Sequence, residues 1–196
     1  MDGTTTFRIL LLAFPAALIA TLGDGIHVLT GTLAYPEPFL FGQAWWVFPG
    51  FFLVFMFMGH AYALVAGRLR SAIPADLSRS GGTIRELVEA ASAFIFVYMM
   101  SGFGNARPDL LSAIFYGAFA ARWLFTYDRM FLLLLAILMA AGGMAAEGAL
   151  SALGLVAYRH ADIFHVPFWL GGLYLHGAFA LREGMRCFVY AGEKKG

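Results

Sequence analysis

Charge is what this sequence is short of. Lys, Arg, Asp and Glu make up 13% of its 196 residues, where a soluble domain of this size carries about 25%. So few charges cannot coat a water-facing surface. With 61% hydrophobic and 16% aromatic residues, the chain belongs in a bilayer. The net charge is +1 and no basic cluster interrupts it, so no nucleic-acid partner is expected. Cysteine is nearly absent as well. Cys187 stands alone, which excludes an intramolecular disulfide and leaves a cysteine metal site without a second thiol. Histidine is sparse: His27, His60, His160, His165 and His176. None shares the HxxxH or HExxH spacing that sets two ligands on one helical face. No serine sits in a recognisable nucleophile setting. The expectation is therefore no catalytic residue, no metal, no cofactor and no enzyme. The opening MDGTTTFR is not a usual signal peptide, because its apolar stretch runs too long and its cleavage context is poor.

What is there is apolar length. A spanning helix needs roughly 20 mostly apolar residues, and six segments qualify, at about 8–28, 45–67, 84–105, 108–126, 131–157 and 165–189. This predicts an all-α polytopic membrane protein with one six-helix domain over 1–196 and no internal repeat. Pro108 suits the start of the fourth helix. Ala113, Gly117 and Ala121 recur every four residues along it, and the fifth segment contains AAGGMAAEGALSALG. Both patterns let helices approach closely in lipid. With the N-terminus cytoplasmic, that side holds Arg8, Arg68, Arg70, Arg79, Arg85, Arg122, Arg129, Arg182, Arg186, Lys194 and Lys195, against Arg107 and Arg159 opposite. The bias places both termini in the cytoplasm. The longest cytoplasmic loop, RLRSAIPADLSRSGG, can meet anionic headgroups through its arginines.

Ionisable residues within a bilayer are functional candidates by default. Glu147 lies in the fifth segment among Ala and Gly, and can either line a cavity or bridge to a neighbouring helix. Asp24 and His27 share a helical face near the outer end of the first segment, where they read as a hydrogen-bonded pair. His60 and His176 read as helix-to-helix hydrogen bonds. Glu86 and Glu89 complement the dipole of the third helix, and Asp128 reads first as an N-cap. Trp45 and Trp46 mark a membrane boundary, and one of them can also close a pocket.

The order of these features resembles a known family. Gln43-Ala44-Trp45-Trp46-Val47-Phe48-Pro49 is similar to the AWWVPP signature of the Insig (insulin-induced gene) family. Thr126-Tyr127-Asp128-Arg129 resembles its TFDR junction after the fourth helix. Phe94, Ser101 and PFWLGG at 167–172 then fall on family positions, and the resemblance runs from about residue 8 to 189. It implies a six-helix bundle that binds a sterol-like lipid within the membrane. It also gives Phe94 a place on the sterol and partner surface and Asp128 a role in gripping a partner. Where animal members carry a Gln and a Thr facing the sterol, this chain has Leu111 and Phe115. Neither can bond a hydroxyl, so the ligand is expected to be held by its tails. Met130 and Phe131 replace the residues that follow the family's Asp-Arg pair. Eleven arginines against two lysines suggest a prokaryotic source, and hence the plasma membrane. A eukaryotic source would place it in the endoplasmic reticulum.

The expected function is a possible lipid sensor that binds a sterol-like or diglyceride-like lipid, with Asp24, His27, Trp45, Trp46, Phe94, Met99, Leu111, Phe115 and Glu147 at the site. Its partners would be that lipid, the bilayer and further copies of the chain. The competing reading is a membrane scaffold without a specific ligand. An intramembrane lipid hydrolase or a transporter comes behind both.

Overall fold

In the computed structural model, which describes residues 3–69 and 71–192, six helices follow one another: α1 (Gly3–Leu29), α2 (Val47–Arg68), α3 (Ile84–Phe103), α4 (Pro108–Leu124), α5 (Arg129–Ala152) and α6 (Trp169–Gly184). Arg70, Lys194 and Lys195 lie outside the described residues. Four helices, α1, α2, α3 and α5, are long and apolar enough to cross a membrane, while α4 and α6 have only 17 and 16 residues. A wider π-helical turn, Met185–Val189, extends α6.

Local chemistry sets the ends. At α3, Thr83 and Glu86 form a reciprocal capping box, so Glu86 caps as well as opposing the dipole. α5 ends at Ala152, short of the expected 157, and Gly154 two residues on takes a φ of +72° that turns the chain away. At α6, Phe164 and His165 both have positive φ and Pro167 follows, so the helix begins at Trp169 and not at 165.

α6 is the central element. Most of its residues are buried, and it packs against α3, α4 and α5. Glycine makes this possible: a Cβ on Gly172 would come within 2.8 Å of the Phe115 Cβ. α1 pairs with α2 as α5 pairs with α6.

That correspondence extends to detail and corrects the expectation of no repeat. After α1 the chain makes a turn at Gly31 and a short strand β1 (Leu33–Ala34); after α5 it makes a turn at Gly154 and β2 (Ala157–Tyr158). Each is followed by an isolated bridge, Leu40 with Gln43 and Ile163 with Val166, closed over positive-φ residues, Phe41-Gly42 and Phe164-His165. Then come Trp46 and Trp169 at the helix starts. All these pairs keep one constant spacing. β1 and β2 are antiparallel, and Ala34 faces its own counterpart Ala157, so a pseudo-two-fold axis passes through the strand pair. Outside the Leu and Ala of the helices (10–13 with 133–136, and Ala17 with Ala140), few identities survive between the halves: Gly25/Gly148, Gly31/Gly154, Ala34/Ala157, Tyr35/Tyr158, Phe41/Phe164 and Trp46/Trp169. Apolar helices offer little else to align, which is why the repeat is invisible in sequence.

Candidate functional site

α2 and α5 meet at Tyr62 and Phe131, whose rings pack edge-on at 5.2 Å. Beyond that contact they diverge around a cavity of about 400 Å³. α2 contributes Val47, Gly50, Phe51, Val54, Phe57 and Met58 to one wall; α5 contributes Leu135, Leu138, Met139, Gly142 and Ala146 to the other. Leu181 and Tyr174 of α6 form its back. At 1.5 Å rise per residue, the wall from Leu135 to Glu147 runs about 18 Å, a little over half the ~30 Å hydrocarbon core.

One end is polar. Glu147 lines the cavity and accepts hydrogen bonds from Tyr158 Oη to Oε2 (2.9 Å) and from Tyr174 Oη to Oε1 (3.1 Å). It therefore both lines a cavity and bridges, to α6 and to β2. Tyr35 and Trp46 close the same end, their rings edge-on at 5.6 Å. Tyr35 donates to Asp24 Oδ2 (2.8 Å), and so does Gln43 Nε2 (2.9 Å). Asp24 and Glu147 are counterparts under the pseudo-two-fold, and each takes a phenol from the tyrosine eleven residues on. Burial first, and the neighbouring carboxylate second, push both the Tyr35 and Tyr158 phenols above their ordinary value, so both remain donors.

Of the residues picked from sequence, Glu147 and Trp46 line this cavity. Asp24 and His27 do not bond each other. Asp24 is held by Tyr35 and Gln43, while His27 Nε2 bonds Ser101 Oγ on α3 (2.7 Å). Trp45 points away and is 68% exposed, and Met99 is also exposed on its helix. Phe94, Leu111 and Phe115 meet in a packed cluster with Tyr98 and Trp169, on the α3–α4–α6 side of the bundle. His60 bonds the Met56 carbonyl of its own helix at 2.7 Å and also Thr6 Oγ1 of α1 at 3.5 Å, and His176 bonds across to the Phe115 carbonyl of α4 at 3.0 Å.

Asp128 occupies the N-cap position of α5 at a φ of +45° but makes no cap bond. Its carboxylate instead accepts from the Ser78 backbone N–H (2.7 Å) and hydroxyl (2.8 Å), tying down the loop between α2 and α3. Sequence reasoning missed Tyr35, Tyr158 and Tyr174, which are ordinary among eight tyrosines until their partner is known. Among the described residues, no three His, Cys, Asp or Glu side chains converge to hold a metal.

The chain is 32% identical over 165 residues to an INSIG protein homolog from Mycolicibacterium vanbaalenii, spanning 81% of this chain and 75% of that one. The chain belongs to the INSIG family. No family model matches it. The crystal structure of the mycobacterial Insig homolog MvINS superposes with a TM-score of 0.76 over 99% of this chain and 98% of that one, at 24% identity. A cross-linked MvINS trimer superposes at 0.72, with 25% identity and 95% coverage of both chains. The all-α membrane architecture is thus that of this INSIG relative.

Proposed function

We propose that this INSIG-family protein holds one apolar lipid in the cavity between α2 and α5, with the tails along Val54, Phe57 and Leu138 and the polar end at Glu147. The single observation behind this reading is the cavity itself: long, walled by two apolar helices, and polar at one end. A soluble substrate would gain nothing from such walls. A lipid tail gains about 25 cal/mol per Å² of area removed from water, and pockets of this make orient their ligand with a few polar groups. Along its length the wall offers apolar side chains from α2 and α5, with Glu147 at one end. The ligand class is therefore tail-dominated, a diglyceride-like lipid ahead of a sterol-like one, and the role is sensing or storage, not catalysis. In this reading all six helices span, with both termini cytoplasmic, in a prokaryotic plasma membrane.

Gly142 supplies the test. A Cβ there meets no atom within 4 Å, so a bulky side chain fills the cavity without a backbone clash. Native mass spectrometry with lipid extraction should find one stoichiometric lipid on the wild-type protein and none on Gly142→Phe. A washable lipid mixture on both proteins refutes the reading.

A second reading has its own observation. Ala113, Gly117 and Ala121 leave an exposed face on α4, with open space above Gly117. Close packing of small residues drives helix association in lipid, so an assembly role through this face remains the competitor. It predicts that Gly117→Ile changes oligomer size with lipid content intact.

A further inference from the structure

Arg122 is a helix-end arginine that has no carboxylate partner among the described residues. It lies in the last turn of α4, half-buried. Its Nη1 donates to His176 Nδ1 at 2.8 Å. His176 Nε2 donates in turn to the Phe115 carbonyl, so the imidazole is neutral and fixed in one tautomer. The guanidinium also stacks over Phe179, 4.0 Å from the ring centroid, and Arg182 reaches the same ring at 5.7 Å. Two like charges thus converge on one ring.

The nearby acids are already committed. Glu183 neutralises Arg182 and Arg186, and Glu86 reaches Arg186 at 3.4 Å. Among the described residues Arg122 has no carboxylate partner, and only its Nη1 is engaged by another side chain. In front of it lies an open pocket of about 460 Å³ lined by Ala121, Arg122, Phe125, Thr126 and Phe179. The Thr126 hydroxyl accepts from Arg182 Nη2 and keeps its own hydrogen for an acceptor on the pocket side. Phe125, 92% exposed, projects beside it as a membrane anchor would. A half-desolvated cation, a hydroxyl donor and an exposed aromatic at a helix end together describe an anion site at a lipid–water boundary.

We infer that this pocket binds the phosphate of an anionic phospholipid headgroup. Arg122 donates through its free nitrogens and Thr126 through its hydroxyl, while the acyl chains run along the exposed α4 face beside Ile114 and Gly117. The site is separate from the α2–α5 cavity and does not depend on it.

The test compares wild-type protein, Arg122→Gln, Ala121→Trp and Arg85→Gln in phosphatidylcholine nanodiscs with and without phosphatidylglycerol, reading thermal midpoint and retained lipid. Ala121→Trp fills the pocket and leaves the Arg122–His176 bond alone. Arg85→Gln removes an exposed cation near the start of α3, controlling for surface charge. Phosphatidylglycerol should stabilise wild type and Arg85→Gln. Its apparent affinity should fall about fivefold or more for Arg122→Gln and be lost for Ala121→Trp. Equal stabilisation of all four proteins overturns the inference. So does inorganic phosphate alone in detergent reproducing the Arg122-dependent shift, because the pocket would then read a free anion and not a lipid.

Discussion

Replacing Glu183 by Gln isolates the charge network under α6. Glu183 sits between two arginines. Arg182 Nε lies 2.9 Å from Oε1, Arg186 Nη1 bonds Oε2, and all three side chains are at most 6% exposed. Tyr127 donates to the same carboxylate and receives Arg186 on its own oxygen. Gln keeps the shape and one acceptor but removes the buried anion that both arginines share. Arg186 would then rely on Glu86, which is 41% exposed at 3.4 Å, and Arg182 on Thr126 and the Tyr127 carbonyl. Removing one partner from a buried ion pair costs about 3–5 kcal/mol, because the remaining charge is stranded away from water. At this chain length that corresponds to a fall of roughly 10 °C in thermal midpoint. Tryptophan fluorescence in nanodiscs can follow the melt. Charge stranding also predicts that Arg182→Gln, built into the Glu183→Gln protein, recovers part of the loss. A fall of less than about 2 °C, or a double variant less stable than the single one, refutes the argument and means water reaches the network.

Tyr127 gives the network a pH signature. Burial first, and donation to Glu183 among the other causes, push its phenol above the ordinary value, so its contribution is complete below the unfolded phenol pKa of about 10 and is lost as pH rises through the higher folded value. Alkaline melting curves should therefore steepen above about pH 10, and Tyr127→Phe should flatten that part of the profile. Gly23→Val should destabilise by about 1–3 kcal/mol, since a Cβ there lies 2.8 Å from the Tyr98 ring, while Gly142→Ala on the facing repeat should be neutral or stabilising; paired thermal melts measure the difference. Asp128→Ala removes the carboxylate oxygen that accepts both Ser78 donors and should expose the 71–80 loop, seen as faster trypsin cleavage after Arg79, whereas Asp128→Asn tolerates the positive φ and should be milder.

The apolar segments were legible because length and hydrophobicity alone define a spanning helix, and Glu147 was legible because a carboxylate among Ala and Gly has no other excuse. The wall of α2 was not. A membrane helix is apolar on every side, so no periodicity separates Val54 and Phe57 on the cavity from Phe48 packed on Phe14. Asp24 and His27 looked like one pair because helical spacing places them on one face, yet spacing is silent about partners arriving from Tyr35, Gln43 and Ser101.

The repeat explains why one of two similar places is open. Duplication supplies two carboxylate–tyrosine units, Asp24 with Tyr35 and Glu147 with Tyr158. On the α1 side, α3 lies across the unit: Tyr98 packs on Gly23, its ring 4.8 Å from that of His27, and Trp169 closes from α6. The counterparts of Gly23, His27 and Trp169 are Ala146, Leu150 and Trp46, and all three line the cavity. No α3 lies there. Gln43 adds a second donor to Asp24, while its counterpart Val166 has none to offer Glu147, which takes Tyr174 from the cavity's back wall instead. The chain lays α3, one of the two helices between the repeats, across the first unit and leaves the second open to the α2–α5 cavity. The cavity between α2 and α5 is therefore a consequence of how a two-fold pattern was broken.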